Sequence, residues 1–381
     1  MEAPLPPFRF IHSSDLHLGK RFGTLPEAIR GQASEARHNA LHALARAARD
    51  HEAGHILVAG DVFDTETPTE QVWRQALTAM AGAEGIDWWL LPGNHDSLAA
   101  ESLWQRVAAQ APANVHVLTE AAPLEIAPGV MLLPAPLSRK FPGRDLTDYM
   151  PAAATPAGAL RIGLAHGAIQ GFDEDGVRAE EIIPPDRAQS AGLDYLALGD
   201  WHGQMRIGAR TWFSGAPERD GFRHAGRGAC LAVTLDGPGA EPVVDGVPTG
   251  TLHWAEAPLP LLPGQDAAQA LQALLPPAAE RRQTLLRIRA TGRASLPEQA
   301  ALHRAAEDAA PEFGFFELLA AGLATEYDEA DLSAVIQGGA LQAAAEELGR
   351  PLADETAPEE DRRLAGAALN RLYAYLQEDA S

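Results

Sequence analysis

Five short apolar runs between Phe8 and His202 each stop on a carboxylate, imidazole or amide side chain, and this recurrence constrains the fold more than any other feature of the chain. The first leads through Phe10-Ile11-His12 into Ser14-Asp15-Leu16-His17, and the second, Leu57-Val58-Ala59, into Gly60-Asp61. The third enters Leu91-Pro92-Gly93-Asn94-His95-Asp96. The fourth, from Ile162 to Ala165, stops at His166-Gly167, and the fifth, from Tyr195 to Leu198, stops at Gly199-Asp200-Trp201-His202. Runs this short, bounded by glycine, have the length of buried strands rather than of helices. Polar side chains just beyond strand ends lie where open α/β sheets collect their ligands. Ser34 to Asp50 and Glu70 to Ala83 repeat apolar residues at helical spacing and are expected to pack as helices. Further strands are expected at Val115 to Leu118, Val130 to Leu133, Trp212 to Phe213 and Cys230 to Leu235. Residues from Phe8 to about Gly237 therefore read as a layered α/β domain.

A chain of 381 residues outgrows the roughly 250–300 residues of a single core, so more than one domain is expected. Pro- and Gly-rich sequence from Gly237 to Gly264 reads as a linker with one strand around Leu252 to Trp254. Beyond it, Leu285 to Thr291 and Phe315 to Ala320, continuing at Leu323 to Tyr327, read as strands around a helix from Pro297 to Ala309, a small α+β cap. Asp331 to Leu348 and Glu359 to Leu376 are helical by composition and period. The expected boundaries are residues 1–240, 241–330 and 331–381.

No apolar run approaches the ~18 residues of a membrane span. The N-terminus lacks a basic segment and long apolar stretch, so a soluble, cytoplasmic protein is expected. Cys230 is the single cysteine, which excludes an internal disulfide and a thiolate zinc cluster and leaves His, Asp, Glu and Asn to hold any metal. Thirty Lys+Arg against 52 Asp+Glu give a net charge of −22, unfavourable for holding nucleic acid unaided. Either the substrate is small or a partner supplies positive charge.

In Asp15-Leu16-His17, residues two apart at a strand end place a carboxylate and an imidazole on one side, where one metal ion can take both. Asn94 offers a neutral oxygen, and His95 an acid or base. Singly, each has a plain reading: an Asp after a strand often caps a helix, and a lone His is usually structural. Five such coincidences in order favour a metal site. His38, His42, His51, His55, His116, His224 and His303 lack such company and are read as structural.

Together these motifs resemble the calcineurin-like metallophosphoesterase signature over roughly residues 8 to 235, which implies a layered β-sandwich flanked by helices. Within that superfamily, Phe10 to Gly19, Gly60-Asp61-Val62-Phe63-Asp64, the turn Ser214-Gly215-Ala216-Pro217-Glu218-Arg219 and Gly226-Arg227-Gly228 resemble SbcD-type and YhaO-like DNA repair exonucleases. Phosphoprotein phosphatases would carry an arginine where Asp64-Thr65-Glu66 stands. The resemblance implies that Asp15, His17, Asp61 and His202 hold one metal ion and Asp61, Asn94, His166 and Asp200 a second, with Asp61 bridging. His95 would serve the leaving oxygen, oriented by Asp96, and Mn²⁺ suits the mixed ligands. Most members have histidine at the position of Asp200, so the second ion gains a carboxylate, or Asp200 only orients a neighbour. The resemblance further implies a 3′–5′ exonuclease or endonuclease in DNA repair. It would be a homodimer whose C-terminal helices dock on an SMC-like, SbcC-type coiled-coil ATPase and which meets DNA through that complex. The alternatives are a phosphodiesterase for small or cyclic nucleotides, and an assembly factor with a degenerate site.

Overall fold

In the computed structural model of the chain, the described residues are 6–99, 101–169 and 182–326, followed by 343–344, 347–351, 354, 356–358, 360–362 and 364–369. The chain divides into two compact units, Met1–His253 and Trp254–Ser381.

The first unit opens with β1 (Phe8–Ser13), α1 (Glu27–Asp50), β2 (His55–Val58), α2 (Glu70–Ala81), β3 (Asp87–Leu90), α3 (Glu101–Gln110) and β4 (Val115–Val117). It continues with β5 (Leu124–Ala127), β6 (Val130–Ala135), β7 (Leu160–His166), α4 (Arg187–Ser190), β8 (Tyr195–Gly199), β9 (Met205–Arg206), β10 (Thr211–Phe213), β11 (Ala229–Leu235) and β12 (Val243–Pro248). Two six-stranded sheets result, ordered β12-β11-β1-β2-β3-β4 and β5-β6-β7-β8-β10-β9. Alternate residues of the first sheet enter different cores. Phe10, Leu57 and Trp89 face Leu132, Ile162 and Tyr195 of the second sheet, whereas Ile11, Ile56 and Trp88 meet Leu41, Trp73 and Trp104 on the helices. Strands buried on both faces read as continuous apolar runs, which is why they stood out in the sequence. On its outer side the second sheet packs Met131, Leu133 and Leu196 against Ala188 of α4. The architecture is thus a β-sandwich flanked by helices.

His12 ties the two sheets: its Nδ1 lies 3.0 Å from the Tyr195 hydroxyl and its Nε2 3.1 Å from Leu198 O. Complete burial pushes its pKa down to about 3, so it serves as a neutral polar link. The pairings β1–β2–β3–β4 and β6–β7–β8 are parallel. Their C-terminal ends carry the ligand-type residues.

The expected linker from Gly237 to Gly264 is not irregular. It contains β12, which pairs antiparallel with β11, and β13 (His253–Leu261), which joins a sheet of the second unit. Both are edge strands, so Pro248, Pro258 and Pro260 remove no hydrogen bond that a sheet interior would need. The second unit adds α5 (Ala267–Leu274), α6 (Ala278–Arg281), β14 (Thr284–Ser295), α7 (Leu296–Ala309) and β15 (Phe315–Glu326). Its sheet order is β13-β14-β15, and β14 and β15 run parallel across α7, a βαβ unit. Ser295 and Glu298 close a capping box at the start of α7, while Leu259, Leu271, Leu286, Ile288 and Leu302 form the core. The helices expected from Asp331 to Leu348 and Glu359 to Leu376 fall largely outside the described residues. Among the described residues, no helix is long and apolar enough to cross a membrane.

Candidate metal centre

Beyond β1 and β2 the two chains stay paired as they leave the sheet: Asp15 N donates to Gly60 O (3.1 Å), His17 N to Asp61 O (2.9 Å) and Leu18 N to Val62 O (2.9 Å). This pairing carries side chains that are uncommon in left-handed backbone, with φ of 55° at Asp15, 41° at His17 and 54° at Asp61; Asp200, after β8, stands at 100°. Such a conformation costs a residue with a Cβ roughly 1–2 kcal/mol, so neighbours must hold it. Arg37 of α1 does so. Its buried guanidinium donates to Asp15 O (2.8 Å), Leu16 O (2.9 Å) and Glu218 O (3.0 Å). Two glycines permit the crowding: a Cβ on Gly60, itself at φ 88°, would collide with the His166 ring, and one on Gly93 with the Asp61 carboxylate.

Asp61 lies between two groups of donors. Its Oδ2 is 3.5 Å from His17 Nε2, and its Oδ1 is 3.6 Å from His166 Nε2. On the first side, His17 Nε2 and His202 Nε2 approach to 3.3 Å, and His202 Nε2 lies 3.9 Å from Asp15 Oδ1. On the second, His166 Nε2 is 3.6 Å from Asp200 Oδ1, which also accepts a hydrogen bond from Asn94 Nδ2 at 2.9 Å. All seven side chains expected to bind metal therefore converge. Ligand atoms of Asp15, His17 and His202, and likewise of Asp15, Asp61 and His166, lie within 4.8 Å of one another.

Divalent cations fit this donor set. His166 Nδ1 donates to Ala59 O (2.8 Å), which orients the ring and turns Nε2 toward the carboxylates. Among the described residues that buried Nε2 has no hydrogen-bond partner, and neither does Asn94 Oδ1. Burial opposes charge on His166, yet Asp61, Asp15 and Asp200 outweigh it and raise its pKa to about 9. So negative a pocket attracts a cation where the proton sits.

Two carboxylates that sequence reasoning did not assign stand behind the ligands. Asp220 Oδ1 is hydrogen-bonded to His202 Nδ1 at 3.2 Å, whereas Asp64 Oδ1 lies 3.3 Å from His17 Nδ1 as an ion-pair neighbour outside hydrogen-bond geometry. Asp220 also binds Lys20 Nζ at 2.6 Å. Burial works against the Asp220 charge, but His202, Arg37 and Lys20 together hold its carboxyl far below the usual range. Carboxylates behind metal-binding imidazoles fix ring orientation and raise ligand basicity. Asp64 and Asp220 both fall within or directly after quoted motifs, which was the available signal.

His95 is exposed at the edge of the cluster. Its backbone N donates to Asp61 Oδ1 (2.9 Å), its Nδ1 donates to Asp64 O (3.0 Å), and its ring meets His17 edge-on at 4.7 Å. The orienting role expected of Asp96 is corrected here. Asp96 is fully buried and accepts from Phe63 N (2.9 Å) and Gly93 N (2.7 Å). It pins the Gly93–His95 turn to the Asp61–Phe63 loop, and Asp64 O orients the imidazole instead. Burial first, and Asp61 next, push the Asp96 pKa up.

A β-sandwich that gathers His, Asp and Asn around one shared carboxylate at parallel strand ends defines a metal-dependent phosphoesterase. The profile of the calcineurin-like phosphoesterase family matches residues 8–212, more than half of the chain, and the protein belongs to that family. It is 29% identical over 211 residues to the uncharacterized metallophosphoesterase YhaO of Bacillus subtilis (strain 168), a match covering 52% of this chain and 50% of that protein. It is 32% identical over 260 residues to the SbcD component of the nuclease SbcCD from Escherichia coli (strain K12), covering 58% and 62%. To the SbcD component of the same nuclease from Bacillus subtilis (strain 168) it is 26% identical over 275 residues, covering 61% and 67%. The chain thus spans about half the length of YhaO and less than two thirds of the Escherichia coli protein.

Proposed function

We propose that the chain is a two-metal phosphodiesterase acting on DNA, the nuclease component of a repair complex with an SMC-like coiled-coil ATPase of SbcC type. The observation that carries this reading is Asp61, whose two oxygens each face a separate histidine group. Asp15, His17, Asp61 and His202 would hold one ion, and Asp61, Asn94, His166 and Asp200 the other, with Mn²⁺ suited to such N/O ligands. When bound, a pair of ions supplies Lewis acidity toward the phosphate and a nucleophile from water. His95, whose Nδ1 proton is committed to Asp64 O, presents Nε2 at the open side and, when that nitrogen is protonated as well, would deliver its proton to the leaving oxygen. Asp96 keeps that turn in place.

The relatives named as components of SbcCD support the nuclease reading and the ATPase partner. The charge of −22 supports it too, since a partner would then supply the basic surface that DNA needs. We assign catalysis to residues 1–240, a capping role to 241–330 and partner docking to 331–381, in a cytoplasmic homodimer. A second reading, hydrolysis of small or cyclic nucleotides, is favoured by the same acidity and by Asp200.

The test is Mn²⁺-dependent hydrolysis of end-labelled linear duplex DNA and of a chromogenic phosphodiester, with and without the candidate ATPase, by wild type and His95→Ala. Cleavage of both substrates, lost in the variant, supports the nuclease. Cleavage of the small diester alone under every condition supports the second reading.

A further inference from the structure

The loop between β6 and β7 carries features that the metal centre does not use. In register, Ala135 of β6 pairs with Ala165 of β7, and His166 with Gly199 of β8. The loop therefore leaves its sheet at the edge where His166 and Asp200 stand. Leu137 N donates to Pro92 O (3.2 Å) and Leu98 N to Leu137 O (2.8 Å), so the root of the loop brackets the turn that carries Asn94 and His95. The exposed part, Ser138-Arg139-Lys140-Phe141-Pro142-Gly143-Arg144, holds three cations and no acid in a chain of net charge −22. Only two lysines occur in the sequence, Lys20 beside the metal centre and Lys140 on this loop.

Phe141 is 54% exposed. Among the described residues every other Phe, Tyr and Trp is buried or half-buried. Lys140 Nζ lies 5.7 Å from the centre of the Phe141 ring, and Arg139 Nη2 braces the loop through Pro142 O at 3.3 Å. Among the described residues Arg144 pairs with exposed Asp148, at 3.8 Å, a pair weak enough to yield to a phosphate. A protein-docking hot spot gathers several aromatic and apolar groups with charges depleted at its centre. One ring set among cations instead matches the combination that binds single strands, base stacking plus phosphate neutralisation.

We propose that Ser138 to Arg144 form the substrate platform: Phe141 stacks on an unpaired nucleobase, Arg139, Lys140 and Arg144 take the neighbouring phosphates, and the chain presents a single-stranded nucleic-acid end to the metal centre. This rests on the phosphodiesterase reading above and names its substrate class.

The experiment measures Mn²⁺-dependent kinetics of the full chain on three probes: a short oligothymidylate, an abasic oligomer of equal length, and bis(4-nitrophenyl) phosphate. Phe141→Ala is expected to raise KM for oligothymidylate about tenfold, with kcat unchanged and no effect on the abasic oligomer or the small diester. Replacing Arg139, Lys140 and Arg144 by Ala is expected to flatten the salt dependence of KM for both oligomers, by about 0.7 in log–log slope for each phosphate that is no longer neutralised. If Phe141→Ala leaves oligothymidylate unaffected or weakens both oligomers equally while the small diester is still turned over, the platform is wrong and the phosphodiesterase reading stands. With the same kinetics repeated in the presence of the candidate ATPase, the platform is equally overturned if the variant loses only the ATPase's stimulation, which would make the loop a protein-docking element. If wild type hydrolyses none of the probes, the phosphodiesterase reading fails and the platform with it.

Discussion

Replacing Arg37 by Met keeps an unbranched aliphatic stem inside α1 while removing three donors. The backbone carbonyls of Asp15, Leu16 and Glu218 would each lose the guanidinium that now binds them. A buried acceptor left unsatisfied costs about 1–3 kcal/mol. Three in the middle of that range total about 6 kcal/mol, while relaxation of Asp15 and His17 out of left-handed backbone returns roughly 1–2 kcal/mol each, about 2–4 kcal/mol together. A net loss of about 2–4 kcal/mol of stability is expected, together with at least tenfold weaker metal binding, because the residues that relax are ligands. Six of the seven tryptophans lie within Met1–His253, so urea unfolding followed by tryptophan fluorescence reports chiefly on this unit, and calorimetric Mn²⁺ titration reports on the site. Arg37→Lys should rescue little, since one ammonium lacks the planar fork that reaches three carbonyls. An Arg37→Met protein with unchanged urea midpoint and unchanged Mn²⁺ affinity would refute the clamp.

Three further outcomes are expected. Asp220→Asn should weaken metal binding about 10- to 100-fold in the same titration while leaving the fold intact by circular dichroism. In chelator-treated protein, the raised pKa of His166 makes its contribution full below about pH 6.5 and lost as pH rises through about 9, a decline of about 3 kcal/mol; melting temperature against pH should fall less steeply across that window in His166→Gln. Gly60→Ala, which forces a Cβ into the His166 ring from a left-handed backbone, should lower the melting temperature and abolish tight binding of the second ion, whereas Gly54→Ala, with open space around it, should do neither.

The strand ends were legible in the sequence because burial on both faces makes each strand a short apolar run, and glycine must follow where His166 or Asp61 crowds the backbone. Two kinds of feature were not. β12 and the part of β13 beyond the strand expected around Leu252 to Trp254 hide among prolines that only an edge strand accepts, and β5, half-buried over most of its length, carries no strong alternation. Contacts made by the tertiary fold were equally hidden. Arg37 has ordinary helix neighbours in sequence, and nothing local shows that its guanidinium reaches carbonyls beyond β1. Asp96 misled for the opposite reason: it is adjacent to His95 in the chain, but in a tight turn neighbouring side chains diverge, and its carboxylate turns inward to Phe63 and Gly93.

The most direct test of the account is the number of Mn²⁺ ions bound per chain at equilibrium by wild type and by Asp61→Ala. A shared carboxylate between two donor groups predicts two ions in wild type and the loss of tight binding at both positions in the variant. A single ion in wild type, or two ions retained without Asp61, would contradict the bridged centre.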